Sequence, residues 1–110
     1  MKEIYRAAHA ACAVEPFAFL EAFNLGLRAL AARFDDRYLT PDGEAPAAVT
    51  DIGGTFPLFD EYREPLLDFV RYTVTGDGQR EVEFLAKADL AYRRVWRRLT
   101  RGTVMKKEVW

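Results

Sequence analysis

One hundred and ten residues, half of them hydrophobic, make one domain large enough to close a core without metal or disulfide staples. Cys12 stands alone, so it has no internal disulfide partner, and no apolar run approaches the ~18 residues that span a bilayer. The net charge of -1 conceals a split: residues 1–79 carry 7 Lys/Arg against 13 Asp/Glu, whereas residues 80–110 carry 9 against 4. Such a chain suits pairing between unlike surfaces, or a basic face that meets a polyanion.

The first helix is expected over Lys2–Val14, with Ile4, Ala8 and Ala11 on one face and Tyr5 beside them. Its Ala7–Val14 stretch is too short and too Ala-rich for a secretory signal, so the chain reads as cytosolic or as part of an assembly built in the cytosol. Glu15-Pro16 then breaks the chain and starts a second helix, because proline at the first helical position sacrifices no hydrogen bond. That helix should run to Phe34. Leu20, Phe23, Leu27, Leu30 and Phe34 repeat at steps of three and four, and Phe17 extends the stripe. Gly26 costs this helix about 1 kcal/mol relative to alanine, and a close helix contact would account for it. Asn24 reads as a helix-surface amide.

From Asp35 to Phe59 the helical period stops. Pro41-Asp42-Gly43 is a turn signal, and Gly53-Gly54 bends the chain again. This segment reads as a long loop or as a small β-hairpin pairing Arg37–Thr40 with Ala47–Ile52. The third helix covers Phe59–Gly76, its buried side formed by Tyr62, Leu66, Phe69, Val70 and Thr73. Pro65 conflicts with a helix begun at Asp60. Either Leu58–Glu64 is a separate turn or the helix kinks. Thr75-Gly76-Asp77-Gly78 ends it, and so tight a connection makes the third and fourth helices antiparallel neighbours.

The fourth helix is expected from Gly78 to about Arg101, with Gly102 as its stop and Thr103–Trp110 as an extended tail. Leu85, Ala88, Tyr92, Val95 and Leu99 form one stripe, widened by Phe84 and Trp96; the other side carries Arg93, Arg94, Arg97, Arg98 and Arg101. The other three helices are expected to cover that stripe. The fold class is therefore all-α, a four-helix bundle with a long loop or small β-hairpin between the second and third helices. The domain is residues 1–102, followed by the tail.

No catalytic constellation emerges. His9 and Cys12 share a helix face, but two ligands do not make a zinc site. Asp35-Asp36 reads as an acidic helix end rather than an acid–base pair. Gly53-Gly54 and Gly76-Asp77-Gly78 lack the spacing and the following Lys-Ser/Thr of a phosphate loop. The chain is not expected to be an enzyme, nor to hold a metal or cofactor. Arg93, Arg97 and Arg101 stand at i, i+4 and i+8 and would meet phosphates. However, the helix is a long core helix and the pI is about 5.8, so contact with an acidic protein surface is the better reading.

Three stretches carry a resemblance to a known family. Phe17–Leu30, with Asn24 and Gly26 at its centre, resembles the long helix of the small head–tail connector (adaptor) proteins of tailed bacteriophages and prophages. Phe56–Leu67 resembles the apolar-Pro, Asp-Glu-Tyr, Leu lead-in to their third helix, and Phe84–Tyr92 resembles their Ala- and Tyr-containing last helix. Pro65 departs from the helix former expected there, and the segment after Gly102 finds no counterpart. The resemblance implies a structural virion protein, assembled in the bacterial host cytoplasm. It would self-associate into a ring, twelve-membered in that family, and bridge the portal protein to a tail or stopper protein. No membrane contact is implied, and DNA contact arises only through a ring lumen. On this reading Arg94, Arg98 and Arg101 meet an adjacent subunit or the portal, and Trp110 anchors the tail. The alternative is a small cytosolic helical regulator that binds DNA or protein.

Overall fold

The computed structural model describes residues 1–108, with side chains through Arg101; Trp110 lies outside the described residues. The chain runs α1 (Lys2–Cys12), α2 (Pro16–Arg33), two 3-10 turns (Asp36–Tyr38 and Asp60–Tyr62), α3 (Arg63–Thr75) and α4 (Gly78–Glu108). The protein is all-helical, with four helices and no strand among the described residues.

The starts and stops follow local chemistry. Pro16 occupies the first turn of α2. Asp60–Tyr62 forms its own 3-10 turn, so α3 starts at Arg63 and Pro65 falls in its first turn, where the missing N–H is no loss. Of the two arrangements open for Pro65, the separate turn is the one adopted. Gly76 ends α3 at φ 71, its N–H donating to Tyr72 O at 2.7 Å. The first helix ends two residues sooner than its periodicity suggests, because Ala13 adopts a left-handed conformation at φ 51. Helix α4 passes through Gly102 to Glu108 rather than stopping there. A single glycine weakens a helix by about 1 kcal/mol but does not forbid it.

The segment between α2 and α3 pairs with no strand of its own. The Asp35 carboxylate accepts from Arg37 N at 3.0 Å and coils the next three residues into a 3-10 turn. Asn24 occupies the backbone that a hairpin would need: its Nδ2 donates to Val49 O at 2.9 Å and its Oδ1 accepts from Val49 N at 2.8 Å. The Asn24 amide is thus a specific two-point clamp, not a solvated surface group.

Helix α3, not α4, is the hub. It packs against α1, α2 and α4, burying Leu66 and Val70 completely. Gly26 brings α2 against it, since a Cβ there would sit 2.7 Å from Leu66 Cδ2 and 3.1 Å from Phe69 Cδ1. The rest of the core includes Ile4 and Ala8 of α1, Phe19, Phe23, Leu27 and Leu30 of α2, and Leu39, Phe56 and Leu58 between α2 and α3. Phe17 lies outside it at 75% exposure, and Thr73 is exposed as well.

Helix α4 packs on α3 and on the two 3-10 turns. Phe69 meets Phe84 edge-on at 4.9 Å, Lys87 reaches Asp68, and Arg98 reaches Glu61, so the two helices run antiparallel. The buried stripe of α4 is Phe84, Ala88, Ala91 and Val95. Its small alanines let α3 approach, which leaves the bulkier residues one position away on the flank. Leu85, Trp96 and Leu99, expected in the core, are 38%, 43% and 47% exposed. No single described helix is long and apolar enough to cross a membrane. Helices α1 and α2 pass that test only together, and they are bent by 107°.

Candidate interaction surface

The uncovered side of α4 is the principal candidate for function. Arg93, Arg94, Arg97 and Arg101 are exposed on it, and among the described residues none of them forms an ion pair. Leu90 is 44% exposed between them. Arg98 differs from the others. Its guanidinium pairs with Glu61 and lies over the Phe59 ring at 5.3 Å, so it ties α4 to the turn before α3. Arg94 and Arg101 are the members of the expected set that project freely; Trp110 lies beyond the described residues.

The apolar flank of α4 was missed as surface because its spacing alone fits a core stripe. Tyr92 is the most covered member of that flank among the described residues. It stacks on Phe34 at 4.5 Å and 15°, and Tyr38 meets it edge-on at 5.7 Å. Arg33 pairs with Asp89 at 3.1 Å, fixing the end of α2 beside the same turn of α4. Beyond that contact Trp96, 43% exposed, stacks on no other ring among the described residues, and Leu99 is 47% exposed.

A second cluster lies inside the α3–α4 hairpin. Asp68 is a nearly buried carboxylate, 5% exposed at its side chain. Lys87 Nζ lies 2.8 Å from its Oδ2 and Arg80 Nη1 3.8 Å from its Oδ1. Glu83 pairs with Arg80 at 2.7 Å, and Glu64 with Lys87 at 3.5 Å. The Asp68 carboxylate holds the Lys87 ammonium pKa above its ordinary range. Two cations thus neutralise one buried acid, a fastener for the hairpin rather than an acid–base pair.

The remaining candidates are spent on local structure. His9 Nδ1 lies 3.0 Å from Val14 O, and the Cys12 thiol donates to Ala8 O at 3.2 Å. Asp35 binds Arg37 through backbone and side chain, which keeps its pKa below the ordinary carboxylate value. Among the described residues no group of three His, Cys, Asp or Glu side chains is placed to hold a metal ion. Between α2 and α3 lies an open groove of about 670 Å³, lined by Leu25, Arg28, Ala29, Phe69 and Tyr72. Comparison with protein-family models, with curated proteins and with solved structures finds no match to this chain.

Proposed function

We propose that this chain is a structural subunit of a phage neck, a head–tail connector that joins the portal to the tail or a stopper. One observation carries the reading: among the described residues α4 packs by one side, and its other side presents exposed, unpaired arginines beside exposed Trp96 and Leu99. Arginine and tryptophan are the side chains that most often dominate protein interfaces. The charge split supports it too, since an acidic front half and a basic last helix give each subunit two unlike surfaces, as a closed ring requires. The resemblance in Phe17–Leu30, Phe56–Leu67 and Phe84–Tyr92 supplies the particular assembly.

On this reading Arg94 and Arg101 meet acidic groups of the portal or a neighbouring subunit. Arg98 braces the surface from its tie to Glu61, and Trp110 anchors the end of the chain. The test is co-sedimentation of the full chain with the portal ring encoded in the same genome. Arg94→Glu with Arg101→Glu should abolish co-sedimentation while the helical circular-dichroism signal is kept. Unchanged binding by the double variant removes the assignment.

A further inference from the structure

Two partly apolar surfaces of the fold stand open to solvent, one flanked by arginines and the other with carboxylates near it. The first is the flank of α4, where Leu85, Trp96 and Leu99 are more than a third exposed along one line of the helix, with Arg93 and Arg97 beside it. Leu85 lies on one side of Tyr92, which Phe34 and Tyr38 cover, and Trp96 and Leu99 lie on the other. The second is the groove of about 670 Å³ between α2 and α3, walled by Leu25, Ala29, Phe69 and Tyr72. Leu25 is 45% exposed at its edge, and Phe17, eight residues earlier on α2, is 75% exposed. Glu21 lies between them. Asp77 follows Gly76 in the chain, and Glu81 raises the pKa of the Tyr72 phenol. The lining is therefore mainly apolar, Asp77 and Glu81 lie by its Gly76 and Tyr72 side, and Arg28 is the one cation among the lining residues.

We infer that the Leu85–Trp96–Leu99 flank of one copy seats in the α2–α3 groove of a second copy. An amphipathic helix face laid in an apolar groove is a recurrent way to bury such a stripe. Here Arg93 and Arg97 approach Glu21, Asp77 and Glu81 around the rim. Nucleic acid is the poorer occupant, because phosphates would engage the arginines and leave three large apolar side chains in water. The contact is heterologous: each copy that uses its flank still offers an open groove, so copies add head to tail. The inference rests on the connector reading for its biological setting and names the faces through which subunits of that assembly would join.

Sedimentation velocity of the full chain over a range of concentrations tests it. The native chain should grow with concentration into species larger than a pair. Trp96→Asp destroys the flank and keeps the groove; Leu25→Asp does the reverse. Each variant alone should be monomeric. An equimolar mixture should form a one-to-one pair and nothing larger, since each variant supplies the face that the other lacks. Arg97→Glu should weaken association at least tenfold. Both main positions are exposed, and an unchanged thermal midpoint confirms that the fold survives; Trp96→Gln and Leu25→Gln replace any variant that unfolds.

A native chain that stays monomeric overturns the inference. So do variants that associate like the native chain, or a mixture that stays monomeric. Binding of a short DNA duplex that is lost in Trp96→Asp would reassign the flank and also overturn it. Portal co-sedimentation separates the two readings. Pairing without portal binding defeats the connector and leaves this inference, whereas portal binding by a strictly monomeric chain does the opposite.

Discussion

Gly26 of α2 and Leu66 of α3 touch so closely that one has no room for a side chain: a Cβ on Gly26 would lie 2.7 Å from Leu66 Cδ2. Leu66 is fully buried and cannot swing clear. Gly26→Ala gains about 1 kcal/mol of helix propensity but overpacks the junction by about 1–3 kcal/mol, so a net loss near 1 kcal/mol is expected in urea unfolding. Gly26→Val should cost more. In a Leu66→Ala background, where the space is vacated, Gly26→Ala should become neutral or stabilising, and that non-additivity isolates the contact.

The Asp68–Lys87 pair makes the α3–α4 hairpin asymmetric under mutation. Lys87→Met leaves a buried carboxylate with only the more distant Arg80 for company. About 2 kcal/mol of stability should be lost, the cost of a buried charge deprived of its better partner. Asp68→Leu removes the buried charge and leaves two cations that can turn to solvent, so it should cost less. The double variant should be more stable than Lys87→Met alone. Thermal unfolding of the three proteins decides this.

The helices and the antiparallel pairing of α3 with α4 were legible in the sequence; the rest of their arrangement was not. Pro16, the Thr75–Gly78 turn and the three-and-four spacing of Phe23, Leu27 and Leu30 each act within a few residues, so local chemistry fixes them. Which helix sits centrally depends on how faces are shared among partners. Periodicity is blind to that, and the longest amphipathic run, α4, proved peripheral while the shorter α3 became the hub. Leu85 and Trp96 share the spacing of core residues, yet only one side of α4 finds a neighbour. Asn24 and Asp68 were hidden for a different reason. Their partners, Val49 and Lys87, are 25 and 19 residues away in sequence, and no local pattern announces such pairs. The arginine face itself was legible, because five arginines within nine residues have no place in a core.

Alkaline pH should unfold this protein through groups whose pKa values rise on folding. Burial pushes the Tyr62 phenol well above its ordinary range, and its hydroxyl donates to Tyr38 O at 2.7 Å. Asp68 raises Lys87 in the same direction. In both cases the folded chain holds a proton that the unfolded chain releases near its ordinary pKa of about 10. The stabilisation is complete below that pH and declines as pH rises above it. Tyr62→Phe should lower stability at neutral pH by about 1 kcal/mol, because the Tyr38 carbonyl loses its donor. The same variant should show a shallower alkaline decline in a urea midpoint measured against pH.

Ala13 is the one described residue other than glycine with positive φ, at 51°, and it ends α1 with its N–H donating to His9 O at 2.8 Å. A left-handed conformation crowds the Cβ of an L-residue against its own carbonyl at a cost of about 1–2 kcal/mol. Glycine escapes that cost but gives up about 0.5–1 kcal/mol through the greater freedom of its unfolded chain. Ala13 is exposed, so no packing is lost by removing its methyl group. Ala13→Gly should therefore stabilise the protein by about 0.5–1 kcal/mol, a gain opposite in sign to the usual effect of glycine near a helix. Ala13→Val, whose branched Cβ fits this conformation worst, should destabilise it. A matched pair of thermal melts in which glycine raises the midpoint and valine lowers it would establish that the strain at this cap, rather than helix propensity, sets where α1 stops.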